Sequence, residues 1–224
     1  MFPPIAQLRA LHGGRALLKD DAYERIKQLI QTQVFKPGTF LSERELAARM
    51  GMSKTPVRSA LERLQGEGFV QISPQQGAVV REPSLHEIVD MIDFRIALEP
   101  YVLRRLVGRL NPRQLQRLRE NLKQQEWVVE AHDVRRCTQL DAEFHLMFCE
   151  FLGNQEIVRI MRSLRDRQFR TILRIFTQDV TRVRDSYQEH LAIVDALEVG
   201  HGDRAAELVV THLEYGKRFT MGMP

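Results

Sequence analysis

The stretch from Leu41 to Leu64 leaves a chain few choices. Ser42 stands where a helix N-cap belongs, and Glu45 three residues later completes a capping-box pattern. Leu41 before the cap and Leu46 after it have the spacing of a hydrophobic staple. Gly51 ends this first helix, as glycine does where the backbone turns left-handed. Ser53 then opens a second helix as its expected cap, with Pro56 in the first turn, where a missing N–H costs little. The spacing therefore predicts two short helices joined by a tight turn.

The second helix has two faces. Val57, Ala60, Leu61 and Leu64 follow the helical period and are expected inside. Lys54, Thr55, Arg58, Ser59 and Glu62 fall on the other side. A helix that buries one face and offers Lys, Thr, Arg and Ser on the other suits a DNA major groove; an ordinary solvated helix is the alternative. Two β-prone runs follow, Phe69–Ser73 and Ala78–Arg81, around the turn cluster Pro74-Gln75-Gln76-Gly77. This reads as a hairpin, and a hairpin directly after a helix-turn-helix is a wing.

From about Asp21 to Arg81 the chain resembles the winged-helix domain of the GntR superfamily of bacterial transcription regulators. The resemblance is carried by Ser42-Glu43-Arg44-Glu45-Leu46-Ala47, Ser53-Lys54-Thr55-Pro56-Val57-Arg58, Ala60-Leu61, Leu64, Glu67-Gly68 and Gly77. It implies DNA contacts from Arg44, Arg49, Ser53, Lys54, Thr55 and Arg58, with Gly77 letting the wing approach the minor groove or backbone. Arg58 and Arg44 are the candidates for base edges, because Arg reads guanine best; Ser53 and Thr55 suit phosphates. Two-fold symmetry would require a palindromic operator, and the resemblance implies a short one with GT…AC half-sites.

The chain outside this module has its own character. The net charge of +4 lies within the first 80 residues, which hold 11 basic and 7 acidic side chains; the remainder balances at 22 of each. The 224 residues suffice for two modest domains. We expect a tail over 1–18, with a short extra helix around Ile5–Leu11 as one option, a winged-helix domain over 19–82, and an all-helical domain over 83–224. Asp20 and Asp21 open a helix with Tyr23, Ile26, Leu29 and Ile30 at core spacing. Glu82-Pro83 stops the last strand, and Ser84-Leu85-His86-Glu87 is another capping box. Breaks at Asn111-Pro112, His132-Asp133, Gly153-Asn154, Asp179 to Thr181 and Gly200 to Asp203 leave about six helices: 85–110, 112–130, 134–151, 155–178, 182–199 and 203–220. Pro100 is expected to kink the first. The expected fold is mainly α, a winged helix-turn-helix followed by an antiparallel helical bundle. No apolar run approaches membrane-spanning length, and the N-terminus lacks an apolar signal core. Cys137 and Cys149 lack framework spacing, so reduced thiols of a cytoplasmic protein are expected.

Three of the seven histidines share apolar faces. His190 precedes Ile193, Val194 and Leu197; His212 lies with Leu208, Val209 and Phe219; His145 lies among Phe144, Phe148 and Phe151. Asp141 is one turn before His145 and projects from the same side. Spacing alone leaves two readings open, a hydrogen-bonded core cluster or a divalent-metal site. Here the chain resembles the FCD domain, the ligand-binding domain of the FadR branch of GntR regulators. The Asp141-x-x-x-His145 pair, the Glu189-His190-Leu191-Ala192-Ile193 run and His212 carry the likeness. It implies that Asp141, His145, His190 and His212 hold a metal, Zn first with Ni or Mn as alternatives, whose open positions accept a small organic acid. It also implies that Arg95 faces the pocket, an i, i+4 salt bridge with Glu99 being the rival assignment. The arginines of helix 155–178 are scattered around it, and one could clamp a ligand carboxylate.

The function expected is that of a homodimeric, ligand-responsive repressor, not an enzyme. A metal-dependent hydrolase with an accessory DNA-binding domain is one alternative, with Glu143 or Glu189 as the only general bases to hand. A regulator with a purely structural metal is the other.

Overall fold

The capping chemistry read from the sequence sets most element boundaries in the computed structural model, which describes residues 18–32, 34–73 and 77–223. The expected tail, its optional helix and the turn residues Pro74–Gln76 lie outside the described residues, except Leu18, which opens the first helix. The chain divides into two units, 1–83 and 84–224.

In the first unit, α1 (Leu18–Gln31), α2 (Glu43–Met50) and α3 (Lys54–Gly66) pack with a small sheet. Its core is Tyr23, Ile26, Phe35, Leu41, Leu46, Val57, Ala60, Leu61, Leu64 and Phe69, all buried. The Ser42 side chain accepts from the Glu45 N–H at 3.5 Å, and Gly51 turns left-handed at φ 65°. Glu45 closes no reciprocal bond to the cap; its carboxylate takes Arg49 instead, at 2.8 Å. Ser53 occupies the N-cap of α3 but its side chain makes no capping bond, so the hydroxyl expected to cap is free for another partner. The Glu67-Gly68 pair closes the module: Glu67 accepts from the Tyr23 hydroxyl at 2.7 Å, and Gly68 turns the chain at φ 75°.

The sheet has three strands where the sequence suggested two. β1 (Phe40–Leu41) pairs antiparallel with β3 (Gly77–Val80), which pairs antiparallel with β2 (Val70–Ser73), giving the order β1-β3-β2. A two-residue strand leaves no periodicity to read, so β1 was hidden.

The second unit is six helices: α4 (Leu85–Leu106), α5 (Pro112–Glu130), α6 (Val134–Leu152), α7 (Gln155–Gln178), α8 (Thr181–Glu198) and α9 (Gly202–Thr220). Capping boxes at Ser84/Glu87 and Asn111/Gln114 start α4 and α5, the latter with Pro112 in its first turn. Loops of two or three residues fold α5 on α6, α6 on α7 and α8 on α9 as antiparallel neighbours. Phe144, Leu103, Leu106, Leu118, Ile193, Val194 and Val209 fill the core. Among the described residues, no helix is long and apolar enough to cross a membrane.

A candidate metal centre beside a small cavity

Asp141 and His145 come from α6, His190 from α8 and His212 from α9, and all four are buried. Each offers one donor atom, and the four atoms lie within 4.8 Å of one another. His145 Nε2 is 3.1 Å from His212 Nε2, His190 Nε2 is 3.6 Å from an Asp141 oxygen, and His145 Nε2 is 4.0 Å from the other. Donors held about 2.0–2.2 Å from one ion stand about 3–4 Å apart. The spacing therefore fits a first-row divalent cation.

The outer partners decide which ring nitrogens face inward. His145 Nδ1 meets Glu99 Oε2 at 2.6 Å, and His212 Nδ1 meets Glu189 Oε2 at 2.7 Å. A carboxylate only accepts, so Nδ1 of His145 carries the proton; at His212 the 2.7 Å Glu189 contact sets the same tautomer over the longer 3.2 Å approach of Arg182 Nη2. The third case runs through two amides. Asn121 Nδ2 donates to the Leu140 carbonyl, so Asn121 Oδ1 accepts from Gln125 Nε2 at 2.6 Å. That turns Gln125 Oε1 toward His190 Nδ1 at 2.8 Å, which must then donate. With the rings neutral, as ligation requires, all three Nε2 atoms present lone pairs to the same point. In that state the 3.1 Å approach of His145 and His212 is that of two ligands to one ion rather than a hydrogen bond. His190 Nε2 and Asp141 Oδ2 are buried with no hydrogen-bond partner among the described residues. A cation satisfies all of this at once. Carboxylate and amide partners on Nδ1 are the outer shell that orients ligating imidazoles.

Burial, reinforced by the neighbouring positive charges, pushes His190 far below the ordinary imidazole value; burial also lowers His212, against the pull of Glu189. Both are therefore neutral, as ligation requires. For Glu99, burial alone would raise the pKa, but Arg95 and His145 outweigh it and hold the carboxyl at about 2. Glu189 is likewise held at about 2, burial being overcome by His212 and Arg182. Both thiols are buried and free, and burial pushes Cys137 to about 11 and Cys149 to about 12.

Asp141 and His212 open onto a cavity of about 40 Å³. Met91, Ile172, Phe176 and Leu213 make its apolar wall; Arg95, Arg182, Thr171 and Ser186 supply polar groups. Arg95 touches both places the sequence offered it, Glu99 and a cavity. Its Nε donates to Glu99 at 2.6 Å, while its buried Nη2 has no partner among the described residues and the side chain lines the cavity. The Arg-rich helix α7 contributes Thr171, Ile172, Ile175 and Phe176 to the lining of this cavity and none of its arginines. Arg182, in the first turn of α8, is the second cationic wall. It is only 4% exposed, donates through both Nη atoms to Glu189 and lies over the Tyr215 ring. Glu189, given no inward position by the sequence, binds both Arg182 and His212 directly. Glu99 and Gln125 were missed as outer partners. Their signal was faint: a charged or amide residue at core spacing among apolar neighbours.

On the first unit, Arg44, Lys54, Thr55 and Arg58 are exposed, and Ser53 beside them is too. Arg58 is bound by Glu43 and Arg49 by Glu45. Gly77 has a structural reason within the sheet, beside the wing role expected of it. At φ 132°, a Cβ there would stand 2.5 Å from the Leu41 carbonyl and 2.9 Å from the Phe40 ring. The glycine is thus demanded by β1 packing against β3.

Residues 18–80 match the family of bacterial regulatory proteins called gntR, and residues 90–215 match the FCD domain. The chain belongs to the GntR family of transcription regulators. The Nta operon transcriptional regulator of Aminobacter aminovorans is 30% identical over 181 residues, covering 80% of this chain and 83% of that protein. The transcriptional repressor RspR of Escherichia coli K12 is 29% identical (86% and 84% covered), and the repressor NanR of Cronobacter sakazakii 30% (89% and 84%). Two solved structures share the fold: Escherichia coli McbR/YncC, with TM-score 0.76 and 20% identity over 92% of this chain and 98% of that one, and a GntR regulator from Rhodococcus sp. RHA1, with TM-score 0.79 and 22% identity over 91% and 97%. Membership makes this GntR protein a DNA-binding transcription regulator and sets the hydrolase alternative aside.

Proposed function

We propose that this regulator holds a divalent ion through Asp141, His145, His190 and His212, and that a small carboxylate bound beside it controls operator affinity. The observation that carries the reading is the convergence of three imidazole nitrogens and an unpartnered carboxylate oxygen, beside a cavity lined by Arg95, whose buried Nη2 has no partner among the described residues. An all N/O donor set without thiolate suits Zn or Ni, with Mn less favoured by three imidazoles. When bound, the ion supplies a Lewis-acid site for a carboxylate oxygen. Arg95 would donate from Nη2 to the acid, Thr171 and Ser186 would orient it, and the apolar wall would exclude water. The free Arg95 N–H favours a sensing role over a purely structural ion, which would need no cationic cavity.

The same reading gives a homodimer on a palindromic duplex, with Arg44, Arg49 and Arg58 and the hydroxyls of Ser53 and Thr55 on the DNA, beside Lys54 and a wing shaped by Gly77. An acid can shift DNA affinity only by binding two arrangements of the dimer unequally. The test uses a duplex selected by the protein from a random library. Metal-loaded and chelator-stripped protein are titrated onto it with and without a panel of small carboxylates. An acid that shifts the midpoint only for metal-loaded protein supports the proposal. A midpoint unmoved by acids in both forms, or moved equally, overturns it.

A further inference from the structure

The groove-facing helix carries a feature that the DNA-contact assignment does not explain. Arg58 is 62% exposed, yet its guanidinium is tied side-on to Glu43: Nε to Oε1 at 3.1 Å and to Oε2 at 3.3 Å, and Nη2 to Oε2 at 2.9 Å. Glu43 is the inner partner, 23% exposed, and it opens α2, where the helix dipole favours an acid. An acid also stands one turn away on the same helix as Arg58, at Glu62, and is exposed; the hydrogen bonds nevertheless run to α2, fifteen residues back.

An acid pointed at a polyanion-binding surface costs electrostatic attraction. Surface ion pairs add little stability, so stability does not account for its placement. The geometry offers another return. Guanidinium has five N–H donors; the side-on edge is spent on Glu43, and the Nη1/Nη2 edge remains. That edge can still meet guanine O6 and N7 bidentately. Fixing the long side chain beforehand removes rotamer freedom that base recognition would otherwise have to remove.

We propose that Glu43 is a positioning residue for sequence discrimination: it holds Arg58 with its outer edge presented to a base, at the expense of general attraction for DNA. This rests on the assignment of Arg58 to a base edge. Glu43→Ala should therefore have effects of opposite sign on the two kinds of binding. Affinity for arbitrary duplex rises, and the salt dependence steepens by up to about one unit of slope, because Arg58 becomes free to neutralise a phosphate. Preference at the base pair read by Arg58 falls by about tenfold.

The experiment selects binding sites from a random duplex library with the full-length protein and with Glu43→Ala, Glu43→Gln and Arg58→Ala, and measures affinity for a scrambled duplex at several salt concentrations. Thermal melting checks that each variant is folded. The expected result is one motif position flattened by Arg58→Ala, the same position weakened by Glu43→Ala, and partial recovery with Gln, which keeps an acceptor at the same reach. A motif unchanged in Glu43→Ala but flattened in Arg58→Ala overturns the positioning role alone. A motif unchanged in Arg58→Ala overturns the base-contact assignment and the proposal with it. Tightening of both selected and scrambled duplexes by Glu43→Ala and Glu43→Gln alike, with the motif intact, reduces Glu43 to a repulsive charge and also overturns it.

Discussion

Replacing His190 with Leu should leave the bundle's stability nearly unchanged without metal and lower it with metal. His190 is fully buried, stacked on Phe144 at 4.1 Å, with Nδ1 on Gln125 and Nε2 unpartnered. Leucine has similar bulk. Without metal, the substitution removes an unsatisfied buried nitrogen, a gain of about 1–3 kcal/mol, and strands Gln125 Oε1, a loss of about 1–3 kcal/mol. The two largely cancel, leaving the metal-free variant within about 1 kcal/mol of wild type. With metal at a hundred times its dissociation constant, wild type gains about 2.7 kcal/mol that a three-ligand variant does not match. For a domain of this size one kcal/mol moves Tm by about 3–4 °C, so the gap opens to about 8–10 °C. Differential scanning fluorimetry of both proteins, in chelator and in zinc, measures it. The reasoning fails if the variant is already about 3 kcal/mol less stable in chelator and zinc adds nothing further, since the histidine would then be an ordinary core residue.

Other expectations rest on single contacts. Glu189→Gln removes the carboxylate that fixes the His212 tautomer and pairs with Arg182, and should weaken metal binding by about 10–100-fold in a competitive chelator titration. Acid should destabilise the metal-free bundle in two steps. His190 and His212 are lowered when folded, so below the unfolded value of about 6.5 the unfolded chain binds more protons and stability falls. Glu99 and Glu189, held at about 2 against an ordinary carboxyl value of 4.5, add stability that is complete above pH 4.5 and is lost between there and pH 2. Denaturant midpoints that stay flat from pH 7 to 5 would contradict the first step. Gly77→Ala should cost about 2–4 kcal/mol through its backbone angle and the Leu41 carbonyl, and lose DNA binding through the sheet; a melt unchanged from wild type would show that β1 does not need it. Arg95→Lys keeps a cation for Glu99 but lacks the second N–H, so isothermal titration should find acid binding about 10–100-fold weaker at unchanged metal affinity.

The helices were legible because their signals are local. Ser42, Gly51, Ser84, Asn111 with Pro112, and the glycines after α6 and α8 mark ends through the backbone groups a helix leaves unsatisfied, and the apolar period did the rest. β1 was not legible. It exists because Phe40 and Leu41 lie against Val79 and Ala78, a relation between segments nearly forty residues apart. Gly77 was legible as a necessary glycine, but its reason lay in that same distant pairing.

At the candidate site, Asp141 and the three histidines stood out because a polar residue at core spacing breaks the apolar pattern. What the pattern cannot show is the far side of each ring. Glu99 reads as half of a pair with Arg95, and Gln125 as one more amide on a polar helix. Only the fold brings them to Nδ1 of His145 and His190. The opposition set up for Arg95, salt bridge or pocket, was false for a chemical reason. A guanidinium has more than one edge, so the Nε that closes the Glu99 pair leaves Nη2 for the cavity. Arg58 uses the same device on Glu43. In both places a carboxylate occupies one side of an arginine and thereby aims the other, so an acid beside a binding arginine is evidence about direction rather than evidence against binding.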